Sequence, residues 1–408
     1  MDSGNLAWAV TATALVLFMT PGVAFFYGGL VRAKSVVSMM MLSFGAIALI
    51  AVLWILYGAS MSSVDAPWDF SGNPFADFGL AAANSDSMVS LAYGATFAII
   101  TVALISGAIA DRAKFGAWMI FVGVWGTLVY FPVASWVWGG GWAMSLGHMM
   151  GLDHTVIDYA GGTAVHINAG AAALALALVL GKRIGFNKTI NKPHNVPLVM
   201  LGAAILWFGW FGFNAGAEGT AGLLGTGESR VGLIVINTLG ATAAAILGWL
   251  VIEKLRSRKS TSVGAASGAV AGLVAITPAC ADLTPGWALL LGVVAGVLCC
   301  LAVELKWKLG YDDSLDVVGI HLVGGMLGTL YLGFFATRTG LFVGGDISQL
   351  FMQFVTAFAV LIYSFVVAYA VGWIIEKTIG FRVKSEDEVA GIDTALHGEE
   401  GYLLADRV

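Results

Sequence analysis

The chain has 408 residues, 59% of them hydrophobic and only 11% charged, whereas a soluble domain carries roughly 25% charge. With a mean hydropathy of +0.87, long apolar runs and a formal net charge of −5 without a basic patch, it is read as an all-α polytopic membrane protein, and a general nucleic-acid role is excluded. Cys280, Cys299 and Cys300 are the only cysteines. Their spacing suggests neither zinc, iron–sulfur nor a disulfide framework, so packing is their expected role and no metal or cofactor is expected.

Hydropathy predicts eleven spans: 6 to 31, 36 to 60, 88 to 110, 115 to 136, 158 to 180, 196 to 214, 231 to 252, 263 to 281, 285 to 303, 314 to 335 and 348 to 375. The first has no basic residue before it and no small-residue cleavage pattern after it, so it reads as a retained span and not a signal peptide. Residues 1 to 375 then form the membrane domain, and 376 to 408 a cytoplasmic tail. With the amino terminus outside, eighteen of the twenty basic residues, Lys188 and Arg407 among them, fall on inner loops and tail, and only Arg230 and Arg338 fall outside. The positive-inside rule therefore predicts an outside start, an odd span count and a cytoplasmic carboxyl terminus. The outer side collects Asp2, Asp65, Asp69, Asp77, Asp86, Asp153, Glu218, Glu228, Asp282 and Asp346. Such a surface is either an ordinary set of solvated loops or an entrance that concentrates cations.

Asp158 to Gly170 reads DYAGGTAVHINAG, which places an acid and an imidazole inside an apolar span. Eight helical steps at about 1.5 Å carry His166 roughly 12 Å from Asp158, towards the middle of a hydrocarbon core about 30 Å thick. DVVGIHLVGG repeats the pattern with Asp316, His321 and Gly325, sharing D-x-x-G before the histidine and H-x-x-x-G after it. Five spans separate the two motifs, so they enter the membrane from opposite sides. This predicts an inverted repeat, 6 to 180 against 196 to 335, with the site at the repeat interface and the eleventh span outside the repeat.

Two neutral imidazoles meeting there would hydrogen-bond, one donating and one accepting. A lone buried histidine is ordinarily a satisfied core residue; a matched pair favours a functional one. Haem ligation is disfavoured, since each span offers one such histidine and no C-x-x-C-H occurs. His148 and His154 in an outer loop, His194 in an inner loop and His397 in the tail read as solvated. Glycines four apart, such as Gly264, Gly268 and Gly272, Gly292 and Gly296, or Gly324 and Gly328, suit close helix packing and not a phosphate cradle. With no hydrolase triad or metal cluster, and an intramembrane ionisable set nearly limited to Asp158, Asp316 and the histidines, a conduction path is favoured over an enzyme.

DYAGGTAVHINAG, WFGWFGFNAG, PGVAFFYGGLVRAKS, DDSLDVVGIHLVGG and the tail GFRVKSEDEVAGIDTALHGEEGY resemble the ammonium transporter (Amt/Mep/Rh) family, closer to its bacterial Amt branch, over nearly the whole chain. The resemblance implies a homotrimer in the cell membrane, in contact with lipid, with one pore per subunit. It implies ammonium or ammonia as substrate, with methylammonium as analogue. His166 and His321 would form a twin-histidine pore and Phe97 and Phe213 its gate. Trp138 would supply an outer cation-π wall, Asp158 a structural and recruitment role, and Tyr27 would flank the outer path. A PII-class signalling trimer would plug the cytoplasmic exits, with the tail packing under neighbouring subunits.

The chain departs from the pattern at Ala217, where many relatives carry a serine that accepts a hydrogen bond from the outer ion. Glu218 follows, but one helical step turns it about 100° away. From the residues alone, Trp138 and Phe213 also suit belt or core aromatics, and Asp158 a helix cap. The rival functions are an ammonium sensor with little flux and a sodium-coupled transporter, the latter weakened because no acidic pair lies at the midplane.

Overall fold

The computed structural model describes residues 1–187 and 192–402. Lys188 and Arg407, counted above among the inner charges, lie outside the described residues. Among the described residues ten helices are long and apolar enough to cross a membrane: Ser3–Leu30, Ala33–Met61, Ser85–Ile109, Phe115–Met149, Gly162–Leu180, Val196–Thr220, Val231–Ser257, Pro285–Leu309, Val318–Phe335 and Ile347–Thr378. The remaining expected span, 263 to 281, is a helix of 15 residues, Ser262–Ile276, that gives way to a turn at Thr277. At about 1.5 Å per residue it covers roughly 22 Å, less than the hydrocarbon thickness. No strand occurs among the described residues beyond one isolated bridge, Ala113 to Arg382.

Side-chain caps set several helix starts, because the first turn leaves amide donors without partners and a short polar side chain just before it can take them. Asp2 accepts from Gly4 N and Asn5 N, Asn84 from Ser87 N, Asn195 from Leu198 N, Thr261 from Gly264 N, and Asp346 from Ser348 N.

Small residues then let these helices close on one another. A Cβ added to Gly202 in Val196–Thr220 would lie 2.2 Å from Phe26 N, and one on Gly209 would lie 2.2 Å from Met19 Cγ, so the first and sixth helices pack backbone to backbone. Gly292 and Gly296 seat against the carbonyls of Ala241 and Ala245 at 2.2 and 2.1 Å by the same measure, which locks Pro285–Leu309 onto Val231–Ser257. In hydrocarbon, where apolar burial drives little association, this close approach is the main source of helix–helix attraction.

Two spans, Gly162–Leu180 and Val318–Phe335, differ from the rest: each opens with a π-helical turn, Gly162–Ile167 and Val318–Leu322, before continuing as α-helix. The last of the membrane-length helices, Ile347–Thr378, clamps the chain leading into Gly162–Leu180. Gln353 accepts from Ile157 N at 2.8 Å and donates to Ile157 O at 2.8 Å. That helix ends three residues past the expected boundary at 375. The described part of the tail packs on its own chain: Glu388 accepts from Ile184 N and pairs with Arg382, Asp393 accepts from Val37 N and Ser38 N, and Tyr402 meets His194. His194 and His397 are thereby engaged, His397 with its ring edge-on to Phe115.

Candidate functional site

The two π-helical turns bring the histidines together. His166 Nδ1 lies 3.2 Å from His321 Nδ1, with ring centroids 5.3 Å apart and planes 23° from parallel. Both side chains are buried, at 1% and 4% exposure. Their approach depends on the glycine four residues after each. A Cβ on Gly170 would fall 2.5 Å from Leu322 N, and one on Gly325 would fall 3.0 Å from Gly162 O and 3.1 Å from His166 Cβ. Each motif's glycine thus receives the other motif's backbone. A π-turn is a common device for aiming a side chain out of the regular helical row.

Asp158 begins the first turn as a cap. Its Oδ1 accepts from Gly161 N at 2.9 Å and Gly162 N at 2.5 Å, and its Oδ2 from Thr163 N at 2.8 Å and Ala164 N at 3.0 Å. Four amide donors that would otherwise be orphaned in an apolar surround are satisfied by one carboxylate. Its own carbonyl accepts from Trp138 Nε1 at 2.8 Å, so the cap also fixes the indole.

The D-x-x-G spacing pairs Asp158 with Asp316, and the structure corrects that pairing. Asp313 stands eight residues before His321, as Asp158 stands eight before His166, and its Oδ2 accepts from Val318 N at 2.7 Å. Burial raises the Asp313 carboxyl to about 6. Asp316 matches Gly161 instead: both sit five before the histidine with left-handed backbones, φ 66° and 113°. Asp316 pairs with Lys306 Nζ at 2.6 Å.

Around the histidines runs a narrow enclosed chamber of about 10 Å³, lined by Tyr27, Leu104, Trp210, Phe213 and Leu315 with both imidazoles. That volume is about one water's worth. Trp210, which the sequence reading leaves unassigned, stacks on His166 at 5.6 Å and 16° and is held by Thr277 through its Nε1 at 2.8 Å. His166 Nε2 has no hydrogen-bond partner among the described residues.

Beyond Phe213 a recess of about 400 Å³ opens, lined by Tyr93, Phe97, Trp138, Tyr159 and Ala217 among others. Phe97 and Phe213 stack at 4.2 Å and 20° between recess and chamber, and Trp138 meets Phe97 edge-on at 5.9 Å. Asp158, 7% exposed, is not part of the recess wall. Tyr27, expected beside the outer path, lies elsewhere. It sits three residues from the end of the first helix, donates to Leu104 O at 3.1 Å and lines the histidine chamber, because the first helix has by then crossed most of the molecule.

At the opposite end a second recess of about 530 Å³ is lined by Arg32, Asp111, Arg183, Lys306, Leu315 and Asp316 among others. Arg183 binds Asp312 through Nε and Nη2, at 2.9 and 2.8 Å, and Asp111 through Nη1 at 3.3 Å. Counting charges for topology treats such residues as solvated and misses that Arg183 is 8% exposed and Asp312 fully buried. Among the described residues no group of three or more His, Cys, Asp or Glu is placed to hold a metal ion. All three cysteines are buried and free.

The Ammonium Transporter Family model matches residues 7–402. An ammonium transporter of Mycobacterium tuberculosis is 50% identical, the match spanning 99% of this chain and 91% of the relative. One from Bacillus subtilis is 40% identical over 98% and 99%. Among solved structures, Mep2 of Candida albicans superposes with a TM-score of 0.84 at 31% identity, covering 99% of this chain and 94% of that one. A structure described as a sensor Amt protein gives 0.86 at 26% identity, covering 96% and 98%. The chain therefore belongs to the ammonium transporter family.

Proposed function

We propose that this chain is an ammonium transporter of the cell membrane, in which NH4+ is gathered in the aromatic recess, loses a proton near the Phe97–Phe213 stack, and crosses the histidine chamber as NH3. The observation that carries the reading is the chamber itself, too narrow for a hydrated ion and lined by apolar side chains apart from the two imidazoles, the Tyr27 hydroxyl and the Trp210 indole, the last two already donating to Leu104 O and Thr277. Stripping water from an ammonium ion in apolar surroundings costs tens of kcal/mol by Born estimates, while a desolvated cation-π contact returns about 2 kcal/mol. Neutral ammonia costs roughly 4 to 8 kcal/mol in pure hydrocarbon, part of which hydrogen bonding to imidazole offsets.

Trp138 and Phe97 serve as recruiting aromatics, Phe97 and Phe213 as the gate, and Ala217 marks the missing hydroxyl. Asp158 acts through position, holding the first turn and Trp138, and Tyr27 closes the chamber. Potassium, similar in size and charge, has no proton to shed and is rejected. The released proton crosses separately, so transport moves net charge. Eleven crossings, with the shorter Ser262–Ile276 helix as the eighth, keep the amino terminus outside and the tail in the cytoplasm. Three copies assemble, and a PII-class protein closes the cytoplasmic recess.

Uptake of labelled methylammonium into liposomes holding the purified protein tests the reading. Saturable uptake competed by ammonium supports it, and background uptake contradicts it. The likeness to a sensor Amt protein supports a second reading, in which the ion is bound and reported through the docked tail with little flux. Binding without uptake would select it.

A further inference from the structure

Glu218, which one helical step turns away from the recess, is fully buried and completely partnered. Its Oε1 accepts from Tyr159 OH at 2.6 Å and its Oε2 from Arg230 N at 2.8 Å, while Arg230 Nε stands 3.8 Å from Oε1. Every partner is a donor or a cation, a set that suits a carboxylate. Arg230 also reaches Asp282 at 3.2 Å and lies over the Tyr159 ring at 5.0 Å. Arg230 is thus shared between Glu218 and Asp282, and Arg338 also acts on Asp282, so the carboxylate directly behind the tyrosine is Glu218; that tyrosine forms part of the recess wall beside Trp138 and Ala217.

We propose that Tyr159, backed by Glu218, is a specificity-determining wall of the outer ammonium site, supplying electron density that the chain lost at Ala217. The inference rests on the ammonium-transport reading and adds a residue to that site. The phenol O–H donates a hydrogen bond to Glu218 and keeps its proton, which enriches the ring. A cation in the recess meets a π-system whose attraction grows with that electron density. The buried carboxylate acts over a short range through protein, where screening by water and salt is weak. Arg230 opposes it, so the balance between Glu218 and Arg230 tunes affinity without touching the ion.

The test is the concentration dependence of ammonium currents from full-length protein in liposomes. Tyr159→Leu should raise apparent KM roughly ten-fold, and Glu218→Gln and Tyr159→Phe about three-fold each, more than any of them lowers maximal flux. Arg230→Gln should shift KM the other way. If burial makes Glu218→Gln fold poorly, Tyr159→Phe carries the test, since it keeps the ring and removes only the hydroxyl. A purely structural role would lower maximal flux and thermal stability in all these variants with KM unmoved, and that result would overturn the proposal. Absence of ammonium current in the unmodified protein would defeat the transport reading itself, a distinct failure.

Discussion

His166 and His321 meet through like atoms, Nδ1 to Nδ1 at 3.2 Å. One nitrogen must donate and the other accept, so the two rings hold opposite tautomers. The pair then presents one Nε2–H and one bare Nε2, a donor and an acceptor for a molecule that is itself both. Exchanging the tautomers reverses the polarity without moving a ring, which suits passage of a neutral hydrogen-bonding solute in either direction.

Replacing Ala217 by serine should place a hydroxyl on the wall of the recess that Ala217 lines. A hydrogen bond to a charged group is worth about 1.5 to 3 kcal/mol, so apparent KM for ammonium should fall roughly ten-fold or more. Maximal flux should change little, because the chamber is untouched. Currents recorded over a range of ammonium concentrations decide it; an unchanged or higher KM would mean that Trp138, Phe97 and Tyr159 already set recruitment.

Gly170→Ala should be more damaging than Gly325→Ala. The first forces a Cβ to 2.5 Å from the Leu322 backbone, the second to 3.0 Å from Gly162 O. Overpacking of this kind costs about 1 to 3 kcal/mol, and here the relief available is to spread the two histidine turns apart. Thermal melting and flux, measured on both variants at equal protein level, should fall in that order. Wild-type flux in Gly170→Ala would show that the histidines need no such approach.

Asp158→Ala should lose stability and transport together, because four amide donors lose their acceptor. Each buried group left unsatisfied costs about 1 to 3 kcal/mol. Asp158→Asn keeps an acceptor oxygen and should be intermediate. A higher KM with an unchanged melting temperature in Asp158→Asn would assign the carboxylate direct contact with the ion instead.

The fold was legible in apolar run lengths and in the two histidine motifs, since membrane thickness and the cost of intramembrane charge constrain sequence strongly. The mispairing of Asp158 with Asp316 shows where pattern reading fails: D-x-x-G matched letters, whereas backbone geometry matched Asp316 to Gly161 through a shared left-handed φ. The equal eight-residue interval from Asp313 to His321 was present in the sequence and would have given the right pairing. The expectation of Tyr27 beside the outer path rests on the resemblance alone, and its depth along a helix of 28 residues sets it at the histidine chamber instead. Glu218 adjoins Ala217 and Trp210 stands three residues before Phe213 on the same helix, so their nearness to the site was legible, but their partners Tyr159, Arg230, His166 and Thr277 come from distant segments for which no local spacing gives a signal.

The buried Asp313 should leave a pH signature. Its carboxyl, raised by burial to about 6, stands above an unfolded value of about 3.9. Between those values the folded state binds more protons than the unfolded one, so Asp313's contribution to stability falls as pH rises from about 4 to 6. Asp313→Asn keeps a capping oxygen and removes the titration. Its melting temperature relative to the unmodified protein should therefore improve as pH rises through that window, and a difference independent of pH would contradict the assignment.

On the proposed route the solute crosses at the histidine pair. Ammonium-evoked current in liposomes containing the His166→Ala/His321→Ala double variant, compared with unmodified protein at equal incorporation and with potassium as the competing cation, tests it most directly. Ammonium-specific current should be lost while the protein remains folded, any residual conductance admitting potassium as well. Ammonium-selective current at the unmodified level in the double variant would contradict it.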